Sequence, residues 1–600
     1  MISKYSIAVL PFVNMSSDKE NEYFSDGITE EILNALSRLE GLHVTARTSS
    51  FAFKNVNTDI REIGRRLNVS LILEGSIRKS KDLVRITAQL TEAENGFHLW
   101  SETWDREIKD IFVLQDEIAT NIADKINKDI KPGSGLNEHV MENTKALDYY
   151  LKAKYLQNKW DFNDREQIIQ YYEKALELDP LLLNAYAGLS DMYTWLSSTG
   201  FVSQPEAFSK INHYIEKMLA IDNHFPDAYR IMAGKNFWIE WDIPLALKNI
   251  TIAIEGKPSF PDALVQKGLI MATMGRMEEA FDIMFLAERL NPFDRTANYS
   301  IGYLYHLTGE YAKAIEYNDK NIKLNPNWDA QYLTKAEALC LSGRFKEAWI
   351  TINKVSVMPN IALSENHLKT FYFACRNDKE NAHKYLNLLN KELEKTGLTQ
   401  SFYSPFLAQL YMLLGDKKKA LDYLEEGVKF RSAPLQFLKS DYFWNELRHH
   451  HRFQALVNKI TGEKQGIFDQ KNLSNKKYKK TSITKEQAKN IENRVNEIMN
   501  TQKSYLTPSL SLYDLAELAE VSVNQLSQVL NEFVGKNYYD FVNTFRLQEF
   551  MKLRNNPKYK NYTILALVYE SGFNSKTTFN SFFKRTYHQT PSEYFRNINK

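Results

Sequence analysis

Apolar positions in the last ninety residues recur with a helical period, in two matched sets. Leu512, Leu515, Ala516 and Ala519 fall at i, i+3, i+4 and i+7, and Leu526, Val529, Leu530 and Phe533 repeat the spacing after a break at Glu520 and Val521. Each set therefore marks one buried helix face. Ser522 offers an N-cap oxygen, and Gln525 three residues later completes a capping box. The second helix of this unit then turns Asn524, Gln528 and Asn531 outward, with Gln525 and Ser527 on its flanks. A second unit follows the same plan. Ile564, Leu567 and Val568 form its inner face, Gly572 sits in the turn, Asn574 or Ser575 caps, and Phe579, Phe582 and Phe583 are buried. Lys576, Thr577, Asn580, Ser581 and Lys584 face outward. Between the units, Tyr538, Phe541, Val542 and Phe545 predict a helix over 537–555, which at 1.5 Å per residue is about 28 Å long. Two helix-turn-helix patterns set nearly one DNA turn of about 34 Å apart suit two successive stretches of major groove. Amides and hydroxyls on the outward faces are groups that pair with base edges.

The middle of the chain repeats with a longer period. Glycines at 275, 309 and 343, alanines at 280, 314 and 348, and prolines at 258, 292 and 326 each recur every 34 residues. Glycine permits a tight inter-helix turn, alanine a close helix approach, and proline a helix stop. This spacing matches tetratricopeptide repeats. YEKALELDP at 172–180 and Gly415 with Ala420 extend the array, which is predicted over about 140–460 as seven or eight helical pairs. Such a solenoid forms a groove for a protein or peptide. Tyr303, Tyr311 and Trp349 are read as core, and the triplet His449–His451 lacks the second ligand cluster that a metal site needs.

The N-terminal region alternates between strand and helix patterns. Residues 6–12, 42–47, 69–78 and 83–91 read as strands, and 29–39 and 59–67 as helices, an α/β unit. Ser25, Asp26, Thr29 and Glu30 either line a site or, the favoured reading, cap the first helix, where acids and hydroxyls satisfy free N–H groups.

Two resemblances to known families rest on these residues. LSQVLNEFVGKNYYDFVNTFRLQEF followed by TILALVYESGFNSKTTFNSFFKRTYHQTPSEYF resembles the AraC-type DNA-binding domain over roughly 505–597. That resemblance implies base reading by Asn524, Gln525 and Gln528 and by Lys576, Thr577 and Asn580, with Lys584 near phosphate. Val568 stands where the family usually has alanine, and His588 where it usually has glycine before Thr590-Pro591-Ser592. IAVLPFVNMSSDKENEYFSDGITEEILNALSRL, VTARTSSFAFK and LILEGSIRKSKDLVRITAQL resemble the TolB-like (FlgO-like) amino-terminal domain over about 5–125. That domain implies no defined activity.

Composition narrows the picture. Six hundred residues with 43% hydrophobic and 25% charged side chains require several soluble domains. Net charge is +2, so no global field draws the chain to nucleic acid, but residues 471–485 hold six lysines (471, 476, 477, 479, 480 and 485) and no acid. Such a connector is either a solvated linker or an aid to nonspecific phosphate attraction. Two cysteines, Cys340 and Cys375, fit a reducing compartment. The N-terminal apolar run is too short for a signal peptide and nothing approaches a membrane span, so a cytoplasmic protein is expected. No GxxxxGK[ST], GxSxG or HExxH occurs, so neither an enzyme nor a cofactor is expected.

The expected architecture is a multidomain α/β plus all-α chain. It has an N-terminal α/β domain (1–135), a tetratricopeptide α-solenoid (140–460), a lysine-rich linker with a leading helix (461–500) and a C-terminal all-helical tandem helix-turn-helix domain (501–600). The expected function is transcription regulation, with double-stranded DNA, a groove-bound protein or peptide, and a homodimer as partners. The competing expectation is a non-enzymatic scaffold built on the solenoid.

Overall fold

A computed structural model of the chain describes residues 5–16, 21–39, 41–80, 83–126, 144–159, 164–198, 201–326, 328–355, 365–396, 400–461, 484–507, 510, 512–521, 523–536, 538–559, 562–573, 576–587 and 589–598. The chain is mostly helical. It divides into two compact units, residues 1–275 with 286–462 and residues 276–285 with 463–600. Among the described residues no helix is long and apolar enough to cross a membrane.

The first unit opens with a mixed sheet. Strands β1 (Ser6–Val9), β2 (Val13–Asn14), β3 (His43–Val44), β4 (Leu71–Ser80), β5 (Leu83–Glu92) and β6 (His98–Glu107) lie in the order β3-β1-β4-β5-β6, with β2 beside β4. β1 runs parallel to β3 and β4, with Ile7 beside both Val44 and Leu71. β4, β5 and β6 form an antiparallel meander in which Ile86 stands between Ile77 and Trp104. Helices α1 (Glu22–Ser37), α2 (Arg47–Phe51), α3 (Ile60–Leu67) and α4 (Ile111–Ile126) complete the domain. Ile28, Ile32 and Leu36 of α1 and Ile118 and Ile122 of α4 are buried in one core with Val9, Leu73 and Ile86.

Two features depart from the sequence reading. β6 was not expected, because HLWSETWDRE has no apolar alternation. Trp104 is its one buried residue, with Trp100 packed against the same core, and two tryptophans among polar residues on the covered face leave no continuous alternation to read. Helix α1 begins at Glu22, so Ser25, Asp26, Thr29 and Glu30 lie inside it and do not cap it. They make specific ties instead. Thr29 Oγ1 accepts from Phe12 N–H (3.0 Å), Asp26 pairs with Lys54 (2.6 Å), and Glu30 pairs with Arg47 (2.9 Å) and Lys154 (3.3 Å).

Sixteen helices follow among the described residues of this stretch. They are α5 (Thr144–Lys159), α6 (Arg165–Leu178), α7 (Leu183–Ser198), α8 (Gln204–Ile221), α9 (Pro226–Lys235), α10 (Ile243–Gly256), α11 (Pro261–Thr273), α12 (Met277–Leu290), α13 (Arg295–Leu307), α14 (Tyr311–Leu324), α15 (Asp329–Leu341), α16 (Phe345–Val355), α17 (Glu365–Cys375), α18 (Lys379–Thr396), α19 (Gln400–Leu413) and α20 (Lys417–Lys429). Gly275, Gly309 and Gly343 take φ of 79°, 77° and 75°, the left-handed region that glycine enters freely. The same period of 34 marks two turns without glycine. Trp241 and Asn377 stand one period before Gly275 and one after Gly343, with φ of 57° and 59°. Ala246, Ala280, Ala314, Ala348 and Ala382 keep that period too and are wholly buried.

The N-terminal domain and the array are not separate lobes. One core runs from Ile7 to Ile231, and the Leu151 side chain of α5 leaves no room for a Cβ at Gly27 of α1. Asn184 of α7 donates to Glu31 (3.2 Å). Array loops also close the β3 edge of the sheet. Val44 N–H donates to Ser259 Oγ (3.1 Å), Ser259 Oγ–H donates to the Leu42 carbonyl (3.0 Å), and Ala46 N–H donates to the Leu290 carbonyl (2.7 Å). A segment after α20 crosses other helix ends. Arg431 donates to the Ile239 carbonyl (3.0 Å), Gln436 to the Phe237 carbonyl and Ser440 to the Ala272 carbonyl, while Phe437 meets Tyr303 edge-on at 5.5 Å. Much of the array is thus contacted by the chain itself. Helix α21 (His451–Thr461) closes the unit.

The C-terminal part of the second unit holds α22 (Lys485–Thr501), α23 (Leu512–Leu518), α24 (Val523–Gln528), α25 (Tyr538–Asn555), α26 (Ile564–Glu570), α27 (Lys576–Tyr587) and α28 (Pro591–Ile598). Thr484 and Gln487 form a capping box at α22. Five of the six connector lysines (471, 476, 477, 479 and 480) fall in 462–483, outside the described residues; Ser522, Asn574, Ser575 and His588 also lie outside them.

Candidate nucleic-acid interface

Two separate cores organise residues 484–598. The first gathers Ile491 and Val495 of α22, Leu515 and Ala516 of α23, Leu526 of α24, and Tyr538, Phe541 and Val542 of α25. The second gathers Leu547 and Phe550 of α25 with Leu567 and Val568 of α26 and Phe579, Phe582 and Phe583 of α27. Helix α25 thus spends its first half in one core and its second half in the other. Its 18 residues span about 27 Å at 1.5 Å per residue. Polar ties fix the chain before α23 onto α25. Arg546 donates to the carbonyls of Tyr505 (2.9 Å) and Thr507 (3.0 Å), Tyr505 O–H donates to Glu549 (3.1 Å), and Tyr538 O–H donates to the Leu510 carbonyl (2.7 Å).

Each core carries two short helices joined by a tight turn. Between α23 and α24 Glu520 takes φ of 51°, and between α26 and α27 Gly572 takes φ of 91°. Thr563 caps α26 by accepting from Ala566 N–H (3.1 Å). Two apolar assignments change. Residues 529–534 form a π-helical turn, which holds more residues per turn than an α-helix. The inward phase therefore shifts by one, leaving Phe533 40% exposed and Val534 packed on the core. Ile564, expected inside, is 39% exposed at the first position of α26, where no preceding turn covers it.

The candidate base-reading residues fall on two helices. Asn524, Gln525 and Gln528 lie on α24, and Lys576, Thr577, Asn580 and Lys584 on α27. The side chains of Asn524, Lys576 and Thr577 are outside the described set. Gln525 and Asn580 are half-buried and Lys584 is exposed. Gln528 differs from expectation: only 5% of it is exposed. Helical phase gives the direction in which a side chain leaves the axis, not what lies there. Sequence reasoning also passed over Arg585, which is exposed beside Lys584 and paired with Asp540 of α25. Its signal was the second basic residue of FFKR.

Comparison with known proteins gives each region a counterpart. Residues 515–597 match the family model described as helix-turn-helix domain. Residues 3–121 match that of the HilA/YgeH-like transcriptional regulator, second domain, a description other than the TolB-like one resembled in sequence. Residues 296–327 and 406–434 match tetratricopeptide repeats. The chain carries a helix-turn-helix domain, a HilA-like regulator domain and tetratricopeptide repeats.

Among curated relatives, a putative adenylate cyclase 3 of Rhizobium meliloti (strain 1021) is 34% identical over 244 residues, 40% of this chain and 41% of that protein. An uncharacterized HTH-type transcriptional regulator of Staphylococcus aureus (strain COL) is 32% identical over 103 residues, 17% of this chain and 13% of that protein. The chain therefore spans less than half the length of either. Among solved structures, Pseudomonas aeruginosa pilF is 20% identical with a TM-score of 0.29, covering 35% of this chain and 95% of that one. A human IFIT1 dimer with PPP-AAAA is 16% identical with a TM-score of 0.35, covering 54% and 80%.

Proposed function

We propose that the chain is a transcription regulator that binds promoter DNA sequence-specifically through tandem helix-turn-helix units. The observation that carries this reading is α25, which joins two cores of similar plan within the region matching a helix-turn-helix domain. Its span of about 27 Å approaches the separation of about 34 Å that two recognition helices need on one face of a duplex. Asn524 and Gln525 of α24 and Lys576, Thr577 and Asn580 of α27 are assigned to base edges, and Lys584 to phosphate. Gln528, being buried, is assigned to holding α24 in place. The N-terminal domain and the array receive a protein signal, and the working compartment is the cytoplasm. No catalytic step or cofactor enters this reading.

The test is selection of bound fragments from random duplex DNA by the full-length protein, at fixed salt. A recurring motif with two half-elements about one helical turn apart is expected. Recovery of unrelated sequences only, with affinity that follows salt alone, would overturn sequence-specific binding.

A further inference from the structure

The two edges of the N-terminal sheet are treated unequally. β3 is two residues long, and its outer side is closed by Ser259 and the Leu290 carbonyl. β6 ends the sheet on the other side over ten residues and pairs with no further strand among the described residues. A row of free N–H and C=O groups of that length is a template for another strand, and proteins commonly protect such edges with lysine, proline or a short strand. β6 has neither lysine nor proline, and its bulge lies at the far end, beside Leu90 and Thr91 of β5.

The order of charges along β6 selects a partner. In antiparallel self-pairing about a two-fold axis, residues opposite each other are mirrored about one central residue and share a face. Centring at Glu102 or at Asp105 would set two carboxylates against each other, which destabilises a pair. Centring at Trp104 sets Glu102 opposite Arg106 of the second copy, twice by symmetry, and Thr103 opposite Asp105. Glu102 is exposed, and Arg106 is half-exposed, with one guanidinium nitrogen 3.1 Å from Glu117 and another donating to the Asp105 carbonyl (3.1 Å), which leaves three of its five N–H groups for a second carboxylate. Trp104 is packed on the core and donates to Glu117 (3.2 Å), so its side chain is anchored in its own chain at the axis.

We infer that β6 is a homodimer interface, pairing antiparallel with β6 of a second copy about Trp104, with Glu102 facing Arg106 across the axis. The surface is remote in sequence from the residues assigned to DNA, so dimerisation and DNA binding are separable in test.

The experiment is sedimentation equilibrium of the full-length protein without DNA, with circular dichroism to check folding. The wild type should be a dimer. Glu102→Arg and Arg106→Glu should each weaken dimerisation by about tenfold or more, since each replaces two attractive pairs by two repulsive ones. The double variant Glu102→Arg/Arg106→Glu should restore the dimer when it also carries Glu117→Gln, which removes the repulsion a carboxylate at position 106 would meet within its own chain, because the pairs then re-form with their signs exchanged. A monomeric wild type at tens of micromolar, a dimer indifferent to both single changes, or a double variant that carries Glu117→Gln and is as weak as the singles would each overturn the inference.

Discussion

The backbone carbonyl of Tyr505 occupies the space where a Cβ on Gly572 would stand. The turn between α26 and α27 is thereby seated on the segment that Arg546 fastens to α25, so the second helix pair is registered against the first. Gly572 is required twice over, by this contact and by its φ of 91°.

Gly572→Ala should lower stability by about 1–3 kcal/mol, from left-handed strain and displacement of backbone that cannot yield cheaply. Gly535→Ala is the matched control, because Gly535 has φ of 73° but nothing near its missing Cβ. It should cost about 1–2 kcal/mol, the backbone part alone. Denaturant unfolding of the two variants checks the order, and equal losses would show that the Tyr505 contact contributes nothing.

Repeat turns offer a second test. Asn377 takes the place of the turn glycine one period after Gly343, with φ of 59°. Asparagine tolerates this region better than other residues with a Cβ. Asn377→Gly should therefore be neutral or stabilising by a few tenths of a kcal/mol, and Asn377→Ala destabilising by about 1 kcal/mol. Thermal unfolding should separate the two.

These turns also show what was legible in the sequence. Gly275, Gly309 and Gly343 disclosed the period because a glycine signals its own backbone requirement. Trp241 and Asn377 hid two further turns, because tryptophan rarely takes a left-handed φ and asparagine takes it without being confined to it. In the C-terminal region, Leu515, Leu526, Leu530, Phe579 and Phe583 were placed inside by period alone and are buried. Phe533 was misplaced because period assumes a uniform helix, and the π turn at 529–534 is not one. Gln528 and β6 mark the other limit. A side chain's own direction does not disclose what covers it, and an edge strand carries no apolar rhythm to read.

A pH dependence follows from Asp441. Its carboxylate accepts from Phe443 N–H (3.0 Å), and burial raises its pKa to about 7 from an ordinary value of 3.8. Between those values the folded chain holds a proton that the unfolded chain releases, so stability falls as pH rises from about 4 to about 7. Asp441→Asn keeps the accepting oxygen and removes the titration. It should match the wild type near pH 4 and exceed its melting temperature at pH 8. Asp116 and Asp294, both raised by burial to about 6, leave a residual slope, so the diagnostic quantity is the difference between variant and wild type. A difference that does not grow between pH 4 and 8 would exclude Asp441 as its source.

The reassignment of Gln528 separates it from Asn524 on the same helix. Asn524→Ala should cost roughly 1–3 kcal/mol on the selected site and relax base preference there, as loss of a bidentate contact does. Gln528→Ala should lower the unfolding midpoint and leave the ranking of sequences unchanged, because a residue 5% exposed supports the helix rather than meeting a base. A change of ranking in Gln528→Ala would return it to the reading face.

Lys584 and Asn580 of α27 divide phosphate from base contact within one helix, and salt tells them apart. Each lysine–phosphate contact releases a condensed counterion, so losing one flattens the slope of log affinity against log salt by about 0.9. Lys584 is exposed, and Lys584→Ala should show that flattening on both the selected site and a scrambled duplex, with affinity reduced on both. Asn580 is neutral, so Asn580→Ala should weaken the selected site alone and keep its slope. Arg585 gives an internal check. It is tied to Asp540, so Asp540→Ala should free its charge and steepen the slope if the guanidinium then reaches phosphate. Titrations at several salt concentrations on both duplexes decide the matter, and indistinguishable slopes for Lys584→Ala and Asn580→Ala would end the division of roles along this helix.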